Sequence, residues 1–142
     1  MAQPEYEKWI AEAKNDFEVG EILDKSEKYN AAAFYYVQAA EKAVKSILHY
    51  YGQQPWGHSI NSLLLEYENL GHVIDHSVKN AGKIVEPHYI TSRYPDATPD
   101  LSPKDYYTAE MVERIRDAAS IILTFIEDEM EGISHESESE GI

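Results

Sequence analysis

The chain has 142 residues, enough for one domain with an apolar core, and its 43% hydrophobic and 27% charged residues exclude a wholly disordered protein. It contains no cysteine, which excludes a disulfide framework, a zinc ribbon and a thiol nucleophile. The missing cysteine favours a reducing compartment and no signal peptide is visible, so we expect a cytoplasmic protein. No apolar run approaches the roughly 18 residues of a membrane span, and we expect no membrane association.

Acidic residues outnumber basic ones by 26 to 12, which gives a formal net charge of −14. Seven of the acidic side chains lie in residues 127–142, yet the rest of the chain still carries −7. A phosphate backbone would repel such a chain, so non-specific nucleic-acid binding is not expected. Because residues 134–140 have almost no apolar content, we predict one domain over residues 1–130 and a disordered acidic tail over 131–142. The tail could instead be an acidic interaction segment.

Hydrophobic periodicity predicts helices along nearly the whole chain. Proline in a first turn, serine as an N-cap, and glycine or proline after the last turn mark their ends. Four helices are predicted in the first two thirds of the chain, over residues 4–20, 31–51, 59–71 (a short one) and 72–87.

Residues 91–105 contain three prolines, so we predict a long loop without a helix or a central strand. Loops of this length in a compact domain are often functional. A last amphipathic helix should begin between Ser102 and Tyr106 and continue to Met130. No alternating β pattern is present, and we therefore predict an all-α, up-and-down antiparallel helical bundle of four long helices plus one short helix.

The second predicted helix carries a polar strip formed by Gln38, Glu41 and Lys45. Glu41 precedes Lys45 by four residues, the favourable order for an ion pair, and we expect an exposed pair worth a few tenths of a kcal/mol. Alanines at positions 39, 40 and 43 make this helix thin, which favours close packing against another helix or a second copy of the chain.

Residues 89–96 read Tyr-Ile-Thr-Ser-Arg-Tyr-Pro-Asp, and no other lysine or arginine lies within nine residues of Arg93. On a stiff turn between Tyr89 and Tyr94, its guanidinium could hold a phosphate through two hydrogen bonds while an aromatic ring stacks on a base. Alternatively, Asp96 neutralises Arg93 and both residues pin the loop. The sequence leaves both interpretations open.

The six histidines raise the question of a metal site. His72 and His76 are four residues apart and could share a helix face, but no third ligand is evident, so we predict a solvated face and no metal. His58 is interpreted as a residue at the start of a helix. No glycine-rich phosphate loop, nucleophile elbow or metalloprotease motif is present, and no catalytic residue is assigned.

Three of these stretches, in this order, resemble the HEPN family, the higher eukaryotes and prokaryotes nucleotide-binding domain. Residues 33–45 resemble the family's aromatic-x-x-x-Q-A-x-E-K-x-x-K helix, and the Gly-His-Ser-Ile sequence of residues 57–60 follows. Residues 89–97 are very similar to the Y-x-x-x-R-Y-P-D-A signature of one prokaryotic branch. The resemblance covers roughly residues 5–130.

The resemblance implies a five-helix bundle that commonly forms homodimers. Many prokaryotic members are encoded beside a minimal nucleotidyltransferase and act with it as a toxin–antitoxin or regulatory pair. Active family ribonucleases use an Arg-x(4–6)-His motif, which brings a cation and a proton-shuttling imidazole to the scissile phosphate. None of Arg93, Arg114 and Arg116 is followed by histidine at that spacing, so we do not expect ribonuclease activity.

We therefore expect a non-catalytic, homodimeric module that binds ATP or another nucleotide and needs no cofactor. Within the proposed site, Arg93 would hold the phosphate and Tyr94 or Tyr89 would stack on the base. The remaining residues assigned to this site are Asp96 beside the arginine and, as supporting charge, Lys42 and Lys45.

Two other functions stay open. One is a divergent metal-independent endoribonuclease that uses Arg93 with a histidine outside the motif, either His58 or His88. The other is a protein-interaction module without a small ligand, whose dimer surface and acidic tail hold a basic nucleotidyltransferase.

Overall fold

A computed structural model describes residues 2–98 and 100–140, with the side chains of 134–140 outside the description. Within these ranges the chain is helical and contains no β-strand, which confirms the all-α prediction. The helices are α1 (Glu5–Lys25), α2 (Tyr29–Tyr50), α3 (Ile60–Asn69), α4 (His76–Val85), α5 (His88–Thr91), α6 (Pro103–Tyr106) and α7 (Ala109–Glu140).

Helix α2 is the central element of the bundle and packs against α1, α3, α5, α6 and α7. Its small alanine side chains are buried and let the neighbouring helices approach closely. Larger side chains from α2 and α7 complete the core, among them Tyr36, Ile47, Ile115 and Ile122, all at most 1% exposed. The amphipathic stripes read from the sequence therefore face one common interior.

Helix α3 begins as predicted, because the Ser59 side chain accepts a hydrogen bond from the backbone N–H of Ser62 at 3.1 Å. The predicted start of α4 at His72 is wrong. Gly71 turns the chain with a φ of 103°, and the His72 ring stacks on Tyr67 with 4.2 Å between centroids. His72 thus precedes α4, which starts at His76, and the two histidines share no helix face.

Glu86, at the end of α4, connects that helix to the start of α3. Its carboxylate accepts hydrogen bonds from the Ser59 hydroxyl at 2.6 Å and from the Asn61 side chain at 2.8 Å. It also accepts one from the Asn61 backbone N–H, so a negative charge lies at the N-terminus of α3, where the helix dipole favours it. Burial raises the pKa of Glu86, but these hydrogen bonds outweigh it and the net shift is downward.

Residues 91–105 are not the helix-free loop predicted from three prolines. A 3-10 turn spans Pro95–Ala97 and α6 spans Pro103–Tyr106. In both, proline occupies the first turn, where its fixed φ fits and its missing N–H has no partner to lose. The last long helix accordingly begins at Ala109, later than the predicted start between residues 102 and 106.

Helix α7 is described through Glu140. Most of the predicted acidic tail, residues 131–142, lies where side chains are not described, and residues 141–142 lie outside the described residues altogether, so its disorder stays a prediction. In the described part of the chain, none of the helices has both the length and the apolar character needed to cross a bilayer.

Candidate functional site

Arg93 follows α5 on a turn that is tied to the central helix. Asn30, in α2, donates a hydrogen bond to the Ser92 carbonyl at 3.3 Å, and the Ser92 hydroxyl donates to the His88 carbonyl at 2.6 Å. Arg93 Nε donates to the Tyr89 carbonyl at 3.3 Å. These bonds fix the backbone that precedes Arg93 and hold Nε of its guanidinium against α5.

Arg93 is an exposed residue, and its guanidinium contacts three aromatic rings. Its Cζ lies 4.5 Å from the ring centroid of Tyr89, 4.8 Å from that of Phe34 and 5.1 Å from that of Tyr94. Cation–π contacts of this kind hold a guanidinium in place without neutralising its charge.

No carboxylate among the described side chains lies within 4.0 Å of the Arg93 nitrogens. Asp96, the alternative partner considered from the sequence, is exposed and forms no ion pair with Arg93. Only Nε of the guanidinium has a hydrogen-bond acceptor in the described structure. Both Nη groups therefore keep their N–H donors available for an anion.

His58 lies against the same tyrosine ring as Arg93. Its imidazole stacks on Tyr89 with 4.4 Å between centroids and an interplanar angle of 17°. Its Nδ1 is 3.0 Å from Oε1 of Glu41, while the other carboxylate oxygen accepts from Lys45 Nζ at 3.2 Å. A continuous set of contacts thus runs from the interior of α2 to the exposed arginine.

The Glu41–Lys45 pair is buried, and the prediction of an exposed pair is wrong. The two side chains are only 4% and 8% exposed, and the Lys45 ammonium lies 5.6 Å from the centroid of the Trp9 ring. The i, i+4 spacing is the same on any face of a helix, and here α1 covers the face that carries the pair. A buried ion pair of this kind depends on both partners and on further hydrogen bonds.

Lys42 also faces α1, where its ammonium lies 2.7 Å from the carboxylate of Asp16. The structure thus brings together Arg93, Tyr89 and Tyr94 of the predicted site, whereas both lysines have acidic partners. Their role toward a ligand stays a prediction.

Sequence reasoning missed two aromatic residues of this region. Phe34 lies within the family-like motif of α2, but only the tertiary fold reveals that its ring faces Arg93. The Trp56 side chain, in the connection between α2 and α3, is 87% exposed. Its indole is therefore available as a surface on which another ring could stack.

Trp56 borders an open cavity of about 450 Å³ that also reaches His58. Polar groups from Gln53, Gln54 and Ser62 line the same cavity, together with the carboxylate of Glu66. The positive φ of 86° at Gly57 turns the backbone between the tryptophan and the histidine. The arrangement offers a flat apolar surface beside hydrogen-bonding groups, which is what a heteroaromatic ring requires.

His88, the other histidine considered for catalysis, faces a different part of the bundle. Its Nδ1 lies 2.7 Å from the Tyr107 hydroxyl, and burial together with the charge of Arg114 lowers its pKa. In the described residues, no group of three histidine or carboxylate side chains is placed to hold a metal ion.

Comparisons with known proteins identify the family. The sequence model of the HEPN domain matches residues 6–129. The crystal structure of TT1696 from Thermus thermophilus is 31% identical in sequence, with a TM-score of 0.83 over 89% of this chain and 98% of the other. No protein with a curated description matches the chain.

Two further crystal structures are similar. ST0689, an archaeal HEPN homologue, is 29% identical with a TM-score of 0.74 over 91% of this chain and 98% of its own. TM0613, a HEPN domain protein from Thermotoga maritima, is 30% identical with a TM-score of 0.70 over 87% and 98%. Because the family match covers most of the residues that form the bundle, the chain belongs to the HEPN domain family.

Proposed function

We propose that this HEPN protein is a non-catalytic module that binds a nucleotide such as ATP at Arg93. The observation that supports the proposal is the exposed guanidinium, which three aromatic rings hold and no described carboxylate neutralises. In a chain with a net charge of −14, a fixed cation without a carboxylate partner is an attractive point for an anion.

In the proposed complex, the two Nη groups of Arg93 donate hydrogen bonds to phosphate oxygens in a forked geometry. Tyr94, a residue that is 48% exposed, and Trp56 offer the surfaces on which a base can stack. Gln53 and Gln54 supply amide groups that can pair with the edge of a base lying on Trp56. Phosphate and base would thus be recognised by different segments that meet near His58.

Isothermal titration calorimetry with ATP tests the proposal. The wild-type chain should bind ATP, and Arg93→Ala should weaken binding about tenfold to a hundredfold, the effect of losing a charge-assisted pair of hydrogen bonds. Lys104→Ala is the matched control, because it removes one positive charge from an exposed lysine at the neighbouring α6. Equal binding by wild type and Arg93→Ala, or no binding by either, would contradict the proposal.

We also propose that the protein acts in the cytoplasm as a homodimer together with a minimal nucleotidyltransferase, in a toxin–antitoxin or regulatory pair. Membership of the HEPN family and the acidic charge of the chain, which suits a basic partner, support this role. Co-purification with the product of an adjacent nucleotidyltransferase gene tests it. If the pair survives removal of residues 131–142, the bundle holds the partner; if it is lost, the acidic tail does.

A metal-independent endoribonuclease is the second candidate, favoured by the contact of His58 and Arg93 with one tyrosine ring. Glu41 holds His58 Nδ1 and leaves Nε2 for proton transfer, as carboxylates do for catalytic histidines. Cleavage of structured RNA in EDTA should then require both His58 and Arg93. His76→Ala, which removes an exposed histidine on α4, is the control. Cleavage that persists in Arg93→Ala and His58→Ala would exclude this candidate.

A further inference from the structure

A second cavity with basic groups lies on the far side of α5, between α4 and α7. It has a volume of about 460 Å³ and is lined by Lys83, His88, Arg114 and Asn80, with an apolar floor of Ile84, Met111 and Ile115. None of the residues that line it carries a carboxylate. In so acidic a chain, a cavity with three basic groups and no acidic one is distinctive.

The two full cations of this cavity have no carboxylate partner among the described side chains. Lys79, one helical turn before Lys83, pairs with Glu68 at 2.6 Å, and Arg116, two residues after Arg114, pairs with Glu21 at 2.9 Å. Lys83 and Arg114 form no such pair within 4.0 Å. Neither cation is therefore neutralised by a contacting carboxylate, and both charges act at the cavity.

His88 contributes a hydrogen-bond donor to the same cavity. The Tyr107 hydroxyl is buried, which raises its pKa, and the only hydrogen-bond acceptor described for it is His88 Nδ1 at 2.7 Å. In the tautomer whose Nδ1 accepts a hydrogen bond from the phenol, the neutral imidazole carries its proton on Nε2. Lys83, Arg114, His88 and the Asn80 amide thus offer N–H donors from three separate helices.

Acidic residues limit where an anion can lie. A neighbouring cavity of about 350 Å³ shares Arg114 but is also lined by Glu110, Glu113 and Asp117. These carboxylates repel an anion from the neighbouring cavity, whereas the cavity lined by Lys83 and His88 carries only neutral and positive groups. The apolar floor leaves room for the organic part of a small ligand.

We propose that the cavity formed by Lys83, His88 and Arg114 binds the phosphate group of a small phosphorylated molecule, at a site separate from Arg93. Arg114 grips two phosphate oxygens, Lys83 supplies a point charge, and His88 and Asn80 donate hydrogen bonds. The site does not depend on nucleotide binding at Arg93, because α5 directs His88 and Tyr89 to different partners.

A titration of inorganic phosphate into the Arg93→Ala chain tests this proposal without interference from the site at Arg93. The binding is followed by NMR of the side-chain N–H signals of Arg114 and His88. Saturable shifts of both residues are expected. Lys83→Gln and Arg114→Gln should each weaken binding about tenfold, since each removes one charge-assisted interaction. Both side chains are exposed, so neither substitution should disturb folding.

Lys104→Gln is the control for overall charge. Unchanged phosphate affinity in this variant, with weaker binding in the two cavity variants, supports a defined site. Shifts that do not saturate, or equal weakening by Lys104→Gln, would overturn the proposal in favour of diffuse attraction to surface cations. Phenyl phosphate should bind more tightly than inorganic phosphate if the apolar floor takes part, and its titration measures that contribution directly.

Discussion

The imidazole of His58 lies nearly parallel to the phenol ring of Tyr89, with 4.4 Å between their centroids. This contact joins the connection between α2 and α3 to the short helix α5, although the two residues are far apart in sequence. The guanidinium of Arg93 also lies against the ring of Tyr89. On its other side, the His58 imidazole is held by the buried carboxylate of Glu41. The exposed cation therefore rests on an aromatic stack that is anchored in the core.

The buried pair of Glu41 and Lys45 should be important for folding. We expect Lys45→Met to lower the free energy of unfolding by about 3 kcal/mol, because it leaves the Glu41 carboxylate buried with His58 as its only ionisable partner. Lys79→Met, which breaks a more exposed pair with Glu68, should cost less than about 1 kcal/mol. Urea denaturation measures both, and equal costs would show that burial does not distinguish the pairs.

The Glu86 carboxylate should make stability depend on acid pH. The hydrogen bonds of Glu86 lower the pKa of its carboxylate below the ordinary 4.5. The stability that the ionised carboxylate contributes is therefore fully present above pH 4.5 and is lost as the pH falls through the pKa of the folded state. Glu86→Gln should cost about 1–2 kcal/mol at pH 7 and progressively less below pH 4.5. Thermal unfolding as a function of pH measures this. Glu12→Gln changes an exposed residue of α1 and is the control, whose effect on stability should be the same at each pH. A loss of stability in Glu86→Gln that does not change with pH would contradict the role given to the Glu86 carboxylate.

Gly20 and Gly132 should respond to alanine in opposite ways. A Cβ at Gly20 would lie 2.7 Å from Cε1 of Tyr36, a buried ring whose hydroxyl donates to Asp24, so Gly20→Ala should destabilise by about 1–3 kcal/mol. Among the described atoms nothing lies within 4 Å of a Cβ at Gly132, and Gly132→Ala should stabilise α7 by about 0.5–1 kcal/mol. Chemical denaturation of both variants checks the signs. A neutral Gly20→Ala would mean that α1 and α2 pack less closely there.

Trp56 should report nucleotide binding through its fluorescence. The chain has two tryptophans, and Trp9 is half-buried and stacks on His49, so Trp9→Phe leaves Trp56 as the only indole. ATP should quench that fluorescence by stacking, whereas tripolyphosphate, which has no base, should not. In the matched Trp56→Phe chain, the remaining Trp9 should respond to neither compound. Equal responses to ATP and tripolyphosphate would remove Trp56 from the base site.

The sequence predicted the helices better than it predicted the site. Apolar residues at spacings of three and four mark a buried face whatever packs on it, and Ser59 carries its own capping oxygen, so α1, α2 and α3 were foreseeable. The prolines of residues 91–105 predict a loop, but proline, which disrupts the middle of a helix, also fits a first turn and starts a 3-10 turn at Pro95 and a short helix at Pro103.

The contacts around Arg93 could be foreseen only in part. Tyr89 and Tyr94 are neighbours along the chain, so the local sequence already placed aromatic rings beside the cation. Phe34 and His58 reach the same place through tertiary packing, which periodicity does not encode. The burial of Lys45 was likewise invisible, because charge spacing on a helix does not show which face the next helix covers.

NMR of the arginine side chains tests the central proposal most directly, since the chain has only three arginines. On titration with ATP, the Nη signals of Arg93 should shift and saturate, while those of Arg116, already paired with Glu21, should stay in place. The Arg93→Lys variant assigns the signal. If the Nη signals of Arg93 do not shift as ATP is added, nucleotide binding at this site is contradicted.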